Sequence, residues 1–107
     1  MTVKEIIEYT DKLRPNGFDN EMKMHWIDQV EGLIQSEIFR IPLEEIKSIK
    51  GEGDTLIVKH PYSSVYSLYI ISMLDLFSGD ATRYSNSSKA YNLALKSYAK
   101  LVARGGV

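Results

Sequence analysis

Few residues in this 107-residue chain have the type and spacing that do chemistry. Its two histidines, His25 and His60, stand far apart with no carboxylate at ligand spacing, so no metal site is expected. Lys50-Gly51-Glu52-Gly53-Asp54-Thr55 is glycine-rich but lacks the Gly-x-x-x-x-Gly-Lys-Ser/Thr spacing that cradles phosphate, and is expected to form a turn. Asp75 and Asp80 fall on either side of a helix end, poor geometry for sharing an acid–base task. Neither Ser63 nor Ser64 sits in a nucleophile elbow. With no cysteine, thiolate chemistry and disulfides are excluded. Asn86-Ser87-Ser88 matches the glycosylation triplet, but no secretory signal is recognised ahead of it. No catalysis and no cofactor are therefore expected.

Two other groups stand out by spacing. Tyr62, Tyr66 and Tyr69 recur at helical intervals behind Pro61, and Lys89, Lys96 and Lys100 do the same near the C-terminus. Tyrosines in such a strip serve a docking face or a core whose rim satisfies their hydroxyls. The lysines belong to a charge split. Residues 1–80 carry 8 Lys/Arg against 14 Asp/Glu, whereas residues 81–107 carry five basic residues and no acid. A basic end seeks an acidic partner or forms a solvated helix face.

The elements that position these residues follow from apolar periodicity. Thr2 and Glu5 fit a capping box opening a helix to about Arg14, with Val3, Ile6, Ile7, Thr10 and Leu13 on one side. Pro15-Asn16-Gly17 stops it. Phe18 and Asp19 read as staple and N-cap of a second helix over roughly 20–39, whose apolar positions are Met22, Trp26, Ile27, Val30, Leu33, Ile34 and Ile38. Glu21, Asp28 and Gln35 fall opposite, and Glu21, Asp28 and Glu31 are expected to face solvent as an acidic surface. Pro42 breaks the pattern, and two short strands, 46–50 and 55–59, are expected to form a β arm around the glycine turn. Pro61 is placed in the first turn of a third helix ending near Ser78, with Gly79 as its stop. Tyr62, Val65, Tyr66, Tyr69, Met73, Leu76 and Phe77 share its main face, and only a strip around Ser64, Ser67, Asp75 and Ser78 stays polar. A helix apolar nearly all round is a central one, so the tyrosines are expected to be core. A fourth helix, about 84–103, carries the seam Tyr84, Tyr91, Leu95, Tyr98 and Val102 opposite the lysines.

The fold class expected is mainly α: one four-helix domain over residues 1–107, with a short two-stranded β arm between helices 2 and 3. The apolar fraction of 44% and charged fraction of 25% are those of a soluble globular domain, and a cytoplasmic protein is expected. The run Val65 to Phe77 is too short to span a bilayer, and no membrane partner is expected. Net charge of −1 and an acidic second helix argue against direct nucleic-acid binding.

Residues 56–101 resemble the small head–tail connector (head-completion adaptor) proteins of long-tailed phages and prophages of Gram-positive bacteria. The likeness lies in an apolar strand leading into Pro61-Tyr62, then Tyr66 and Tyr69, followed by Gly79-Asp80, Arg83-Tyr84 and Asn86. It continues into a helix with Asn92 and Tyr98, and the Trp26–Ile38 helix also fits. The resemblance implies a structural virion protein. It would assemble as a homo-oligomeric ring, dodecamer-like on a portal, joining the portal protein to the stopper or tail-completion protein after DNA packaging. DNA would only pass through its channel. Its location would be the virion, and the host cytoplasm during assembly. On this reading Lys89, Lys96 and Lys100 of one subunit meet Glu21, Asp28 and Glu31 of the next, while arm residues such as Leu43, Ile46 and Ile49 supply apolar contacts. A helical protein–protein adaptor and a DNA-binding regulator, both of non-phage origin, are the alternatives.

Overall fold

A computed structural model describes residues 1–106. The chain is mainly helical: α1 (Val3–Leu13), α2 (Asn20–Leu33), α3 (Ser64–Phe77) and α4 (Ala81–Ala103). α2 runs on without a break into a π-helical turn at Ile34–Ile38, and a 3₁₀ turn follows at Leu43–Glu45.

Local chemistry sets the starts of α1 and α2 where the sequence places them. The Thr2 hydroxyl accepts from the Glu5 N–H while the Glu5 carboxylate accepts from the Thr2 N–H, so the capping box is complete. Those bonds hold the Glu5 carboxyl below its ordinary value. Asp19 caps α2 by accepting from the Met22 N–H at 2.8 Å, and Phe18 packs on Trp26 with ring centroids 5.7 Å apart. Between α3 and α4, Gly79 adopts φ +79°. Asp80 then caps α4, accepting from the Arg83 N–H at 2.9 Å, and its other oxygen lies 3.5 Å from the Arg83 guanidinium. α4 thus begins at Ala81, one turn earlier than the Tyr84 start expected from periodicity.

α3 is the central helix, packed against α4, α2 and α1. Its buried side chains reach well beyond the expected apolar face: Val65, Tyr66 and Ile70 are joined by Leu74, Ser67, Ser72 and Asp75. The strip expected to stay polar is split: Ser67 and Asp75 are buried where α1 and α4 pack against α3, while Ser64 and Ser78 at its ends are exposed. Asp75 forms an ion pair with Arg14, the C-cap of α1, and accepts from the Ser87 hydroxyl of α4 at 2.8 Å, so one buried carboxylate ties α3 to α4 and to the end of α1. Conversely, Leu76 and Phe77, expected inward, are exposed at the helix end, although Phe77 stacks on Trp26 at 5.9 Å. Met22, Leu13 and Leu33 also lie at the surface.

The segment between α2 and α3 departs most from expectation. No sheet forms among the described residues, and 46–50 does not pair with 55–59; one isolated antiparallel bridge joins Thr55 to Thr2 instead. The turn is present, with the Asp54 N–H donating to the Gly51 carbonyl at 3.2 Å. The chain after it lies across the start of α1: Val3, Lys4 and Leu56 N–H groups donate to the carbonyls of Asp54, Glu52 and Met1. This pairing buries Leu56 and Val58 in the main core. Pro61 lies in the turn before α3 rather than in its first helical turn, and the His60–Pro61 peptide is cis.

Candidate interaction surfaces

The polar side of α2 does not face solvent as an acidic strip. Two of its side chains, together with Gln35 of the π-helical turn that continues it, receive the returning 47–57 segment. The Asp28 carboxylate accepts from the Ile49 N–H at 2.8 Å. Gln35 accepts from the Lys47 N–H at 3.0 Å and donates to the Lys47 carbonyl at 2.8 Å. Glu31, buried, accepts from the Ile57 N–H at 3.1 Å and from the Tyr66 hydroxyl, which itself accepts from the Val58 N–H at 2.9 Å. The spacing Asp28, Glu31, Gln35 gives one helical face aligned with backbone donors that no sheet partner satisfies, and buried backbone groups need such partners. Burial raises the Glu31 carboxyl above its ordinary range, more than its two hydrogen bonds lower it. The same burial, with the Glu31 charge beside it, raises the Tyr66 phenol.

The expected acidic surface is therefore reduced to Glu21, which is exposed. Asp28 and Glu31 hold the fold together. Of the three arm residues, only Leu43 projects freely; Ile46 is half-buried and Ile49 packs against the core. Lys89, Lys96 and Lys100 are all exposed on α4, opposite the seam in which Tyr91 and Tyr98 are buried. Tyr84, Leu95 and Val102 of that seam are half-buried.

Among the motif residues, Tyr66 is wholly buried and Tyr62 and Tyr69 are half-buried, with the Tyr69 hydroxyl donating to Gln29 at 3.1 Å on the surface. Tyr62 packs on Tyr98 and Tyr69 on Tyr91. The Tyr91 hydroxyl is buried without a hydrogen-bond partner among the described residues, and burial pushes its pKa up to about 12. Gly79, Asp80 and Arg83 form the junction described above, Tyr84 is half-buried, and Pro61 and Asn86 are exposed.

One surface residue that the sequence reading passed over is prominent: Leu93 is 67% exposed in the middle of the lysine stripe, while Leu43, already expected to make apolar contacts, is 78% exposed beside the exposed Glu44 and Glu45. Leu93 was detectable by counting along α4, since it shares the face of Lys89, Lys96 and Lys100. Among the described residues no group of three or more His, Asp or Glu side chains is placed to hold a metal ion, and no helix is long and apolar enough to cross a membrane. Comparison with family models, with curated proteins and with solved structures gave no match to this chain.

Proposed function

We propose that this protein is a head–tail connector of a long-tailed phage or prophage, a structural subunit that forms a ring between the portal protein and the stopper or tail. The proposed role involves no catalysis, and its setting is the host cytoplasm during assembly and then the virion. The observation that carries the proposal is one packed helical unit with two unlike exposed surfaces. One is basic, along α4; the other is apolar and acidic, at Leu43–Glu45. Unlike faces on one subunit suit head-to-tail contact, which closes into a ring when the rotation between subunits permits. The residues that carry the sequence resemblance also cooperate physically: Tyr66 anchors the 57–58 backbone, and Gly79, Asp80 and Arg83 set the α3–α4 junction.

Negative-stain microscopy of the purified protein, alone and mixed with a portal protein, tests the proposal. Rings, or an added layer coaxial with the portal, are expected. Particles that stay separate and leave the portal bare would contradict it.

A further inference from the structure

The structure subtracts Asp28 and Glu31 from the acidic surface, so the lysine stripe needs a different counterpart. At about 100° per residue, Lys89, Leu93, Lys96 and Lys100 fall within roughly 60° of arc on α4. They form a projecting leucine bordered by cations. On the α2 side, Gly32, Leu33, Leu43, Ile46 and Tyr69 line a shallow depression. Its floor at Gly32 is open: a Cβ there would meet only a methyl of Ile46, at 4.0 Å. Glu44 and Glu45, both exposed, lie on the 3₁₀ turn between its lining residues Leu43 and Ile46, which brings two acids beside it in the chain. Among the described residues, none of Lys89, Lys96, Lys100, Glu44 and Glu45 enters an intrachain ion pair or a side-chain hydrogen bond.

We infer that the occupant of this depression is Leu93 of a second copy of this chain, with the lysines around Leu93 pairing with Glu44 and Glu45 at the rim. The inference rests on the head-to-tail reading above and specifies its contact. Complementarity favours a second copy over an unrelated partner because shape and charge match within one sequence: knob against depression, cations against acids. The knob is on the outer side of α4 and the depression between α2, the 3₁₀ turn and α3. One copy can therefore give its knob to one neighbour and its depression to another. The apolar centre supplies adhesion, and the charged rim sets register and excludes wrong pairings.

The test uses sedimentation equilibrium of the full chain at low and high salt, with three variants at surface positions. Leu93→Glu removes the knob; Gly32→Arg fills the depression with a cation, and Leu43→Asp damages its wall should Gly32→Arg fold poorly. Wild type is expected to self-associate, more weakly as salt rises, and each variant to associate at least tenfold more weakly. A mixture of Leu93→Glu with Gly32→Arg or Leu43→Asp chains retains one intact knob and one intact depression, and is expected to form one-to-one dimers. The inference is overturned if wild type stays monomeric at all concentrations, if the variants assemble as wild type does, or if the mixture stays monomeric. Portal-bound rings that survive these substitutions would sink this contact and leave the connector proposal standing. Knob-dependent dimers that ignore the portal would do the reverse.

Discussion

Glu31 and Tyr66 share a buried hydrogen bond between residues 35 apart in sequence, and their chemistry can be tested one atom at a time. Removing the hydroxyl in Tyr66→Phe strands the Val58 N–H and takes a donor from a buried carboxylate. Each stranded group costs about 1–3 kcal/mol, so chemical denaturation should show a large loss. Tyr69→Phe is the control: its hydroxyl meets Gln29 at the surface, and a loss below about 1 kcal/mol is expected. Glu31 also imposes a pH dependence. Its folded pKa is raised, so the folded state holds the proton more tightly than the unfolded chain does. Its contribution is therefore fully present below the ordinary Glu range and is lost as pH rises through the raised value. Denaturation of wild type and Glu31→Gln across mildly acid to neutral pH should show wild type gaining on the variant as pH falls. A constant difference would mean that Glu31 titrates normally. None of this was legible in residue type. A glutamate on the polar side of an amphipathic helix reads as solvated, because helical periodicity reports which side faces the helix's own neighbours, not whether a later segment returns over the other side.

At the level of elements, end chemistry was readable and pairing was not. Thr2–Glu5, Asp19 and Gly79–Asp80 act within a few residues of themselves, so the sequence contains both partners. The 55–58 segment needs a partner from elsewhere in the chain. The sequence marked 55–59 as extended without saying what it would pack on, and the expected hairpin gave way to the start of α1, the Gly51–Asp54 turn being closed partly by a side chain, with Asp54 accepting from the Lys50 N–H. The 46–50 backbone is then taken by Asp28 of α2 and Gln35 of the π-helical turn that continues it. Two glycines make opposite predictions. Gly79 at φ +79° is required: any residue with a Cβ costs about 1–2 kcal/mol there, and valine more, with asparagine the mildest replacement. Gly32 lies inside α2 with room for a methyl, so Gly32→Ala should gain up to about 1 kcal/mol from helix propensity. Thermal melts of Gly79→Val, Gly79→Asn and Gly32→Ala check all three. A melting temperature unchanged in Gly79→Val would show that the junction tolerates another geometry.

For the whole molecule, the charge split becomes a division of labour once folded. Many of the acids of residues 1–80 are engaged internally, as capping residues, in Asp75 with Arg14 and Asp11 with Lys23, and in the α2 contacts to the returning segment. On α4 Arg83 pairs with Asp80, whereas Lys89, Lys96 and Lys100 are exposed and enter no ion pair among the described residues. The sequence made the basic stripe visible because all its residues sit on one uninterrupted helix, whereas its acidic counterpart depends on which carboxylates folding uses up. A Lys89/Lys96/Lys100→Glu triple variant should therefore keep the wild-type helical content and melting behaviour while losing assembly, most severely at low salt, where unlike rims gain most and like rims repel most. Circular dichroism with size-exclusion chromatography separates the two effects, and normal assembly by that variant would reduce the stripe to a solvated face. The central claim, a subunit that closes into a ring on a portal, is tested most directly by mass measurement of the intact portal complex in solution. The account predicts one discrete increment over the bare portal, equal to a fixed whole number of copies of this chain and reached at saturation without intermediate plateaus. An unchanged portal mass at saturating protein would contradict it.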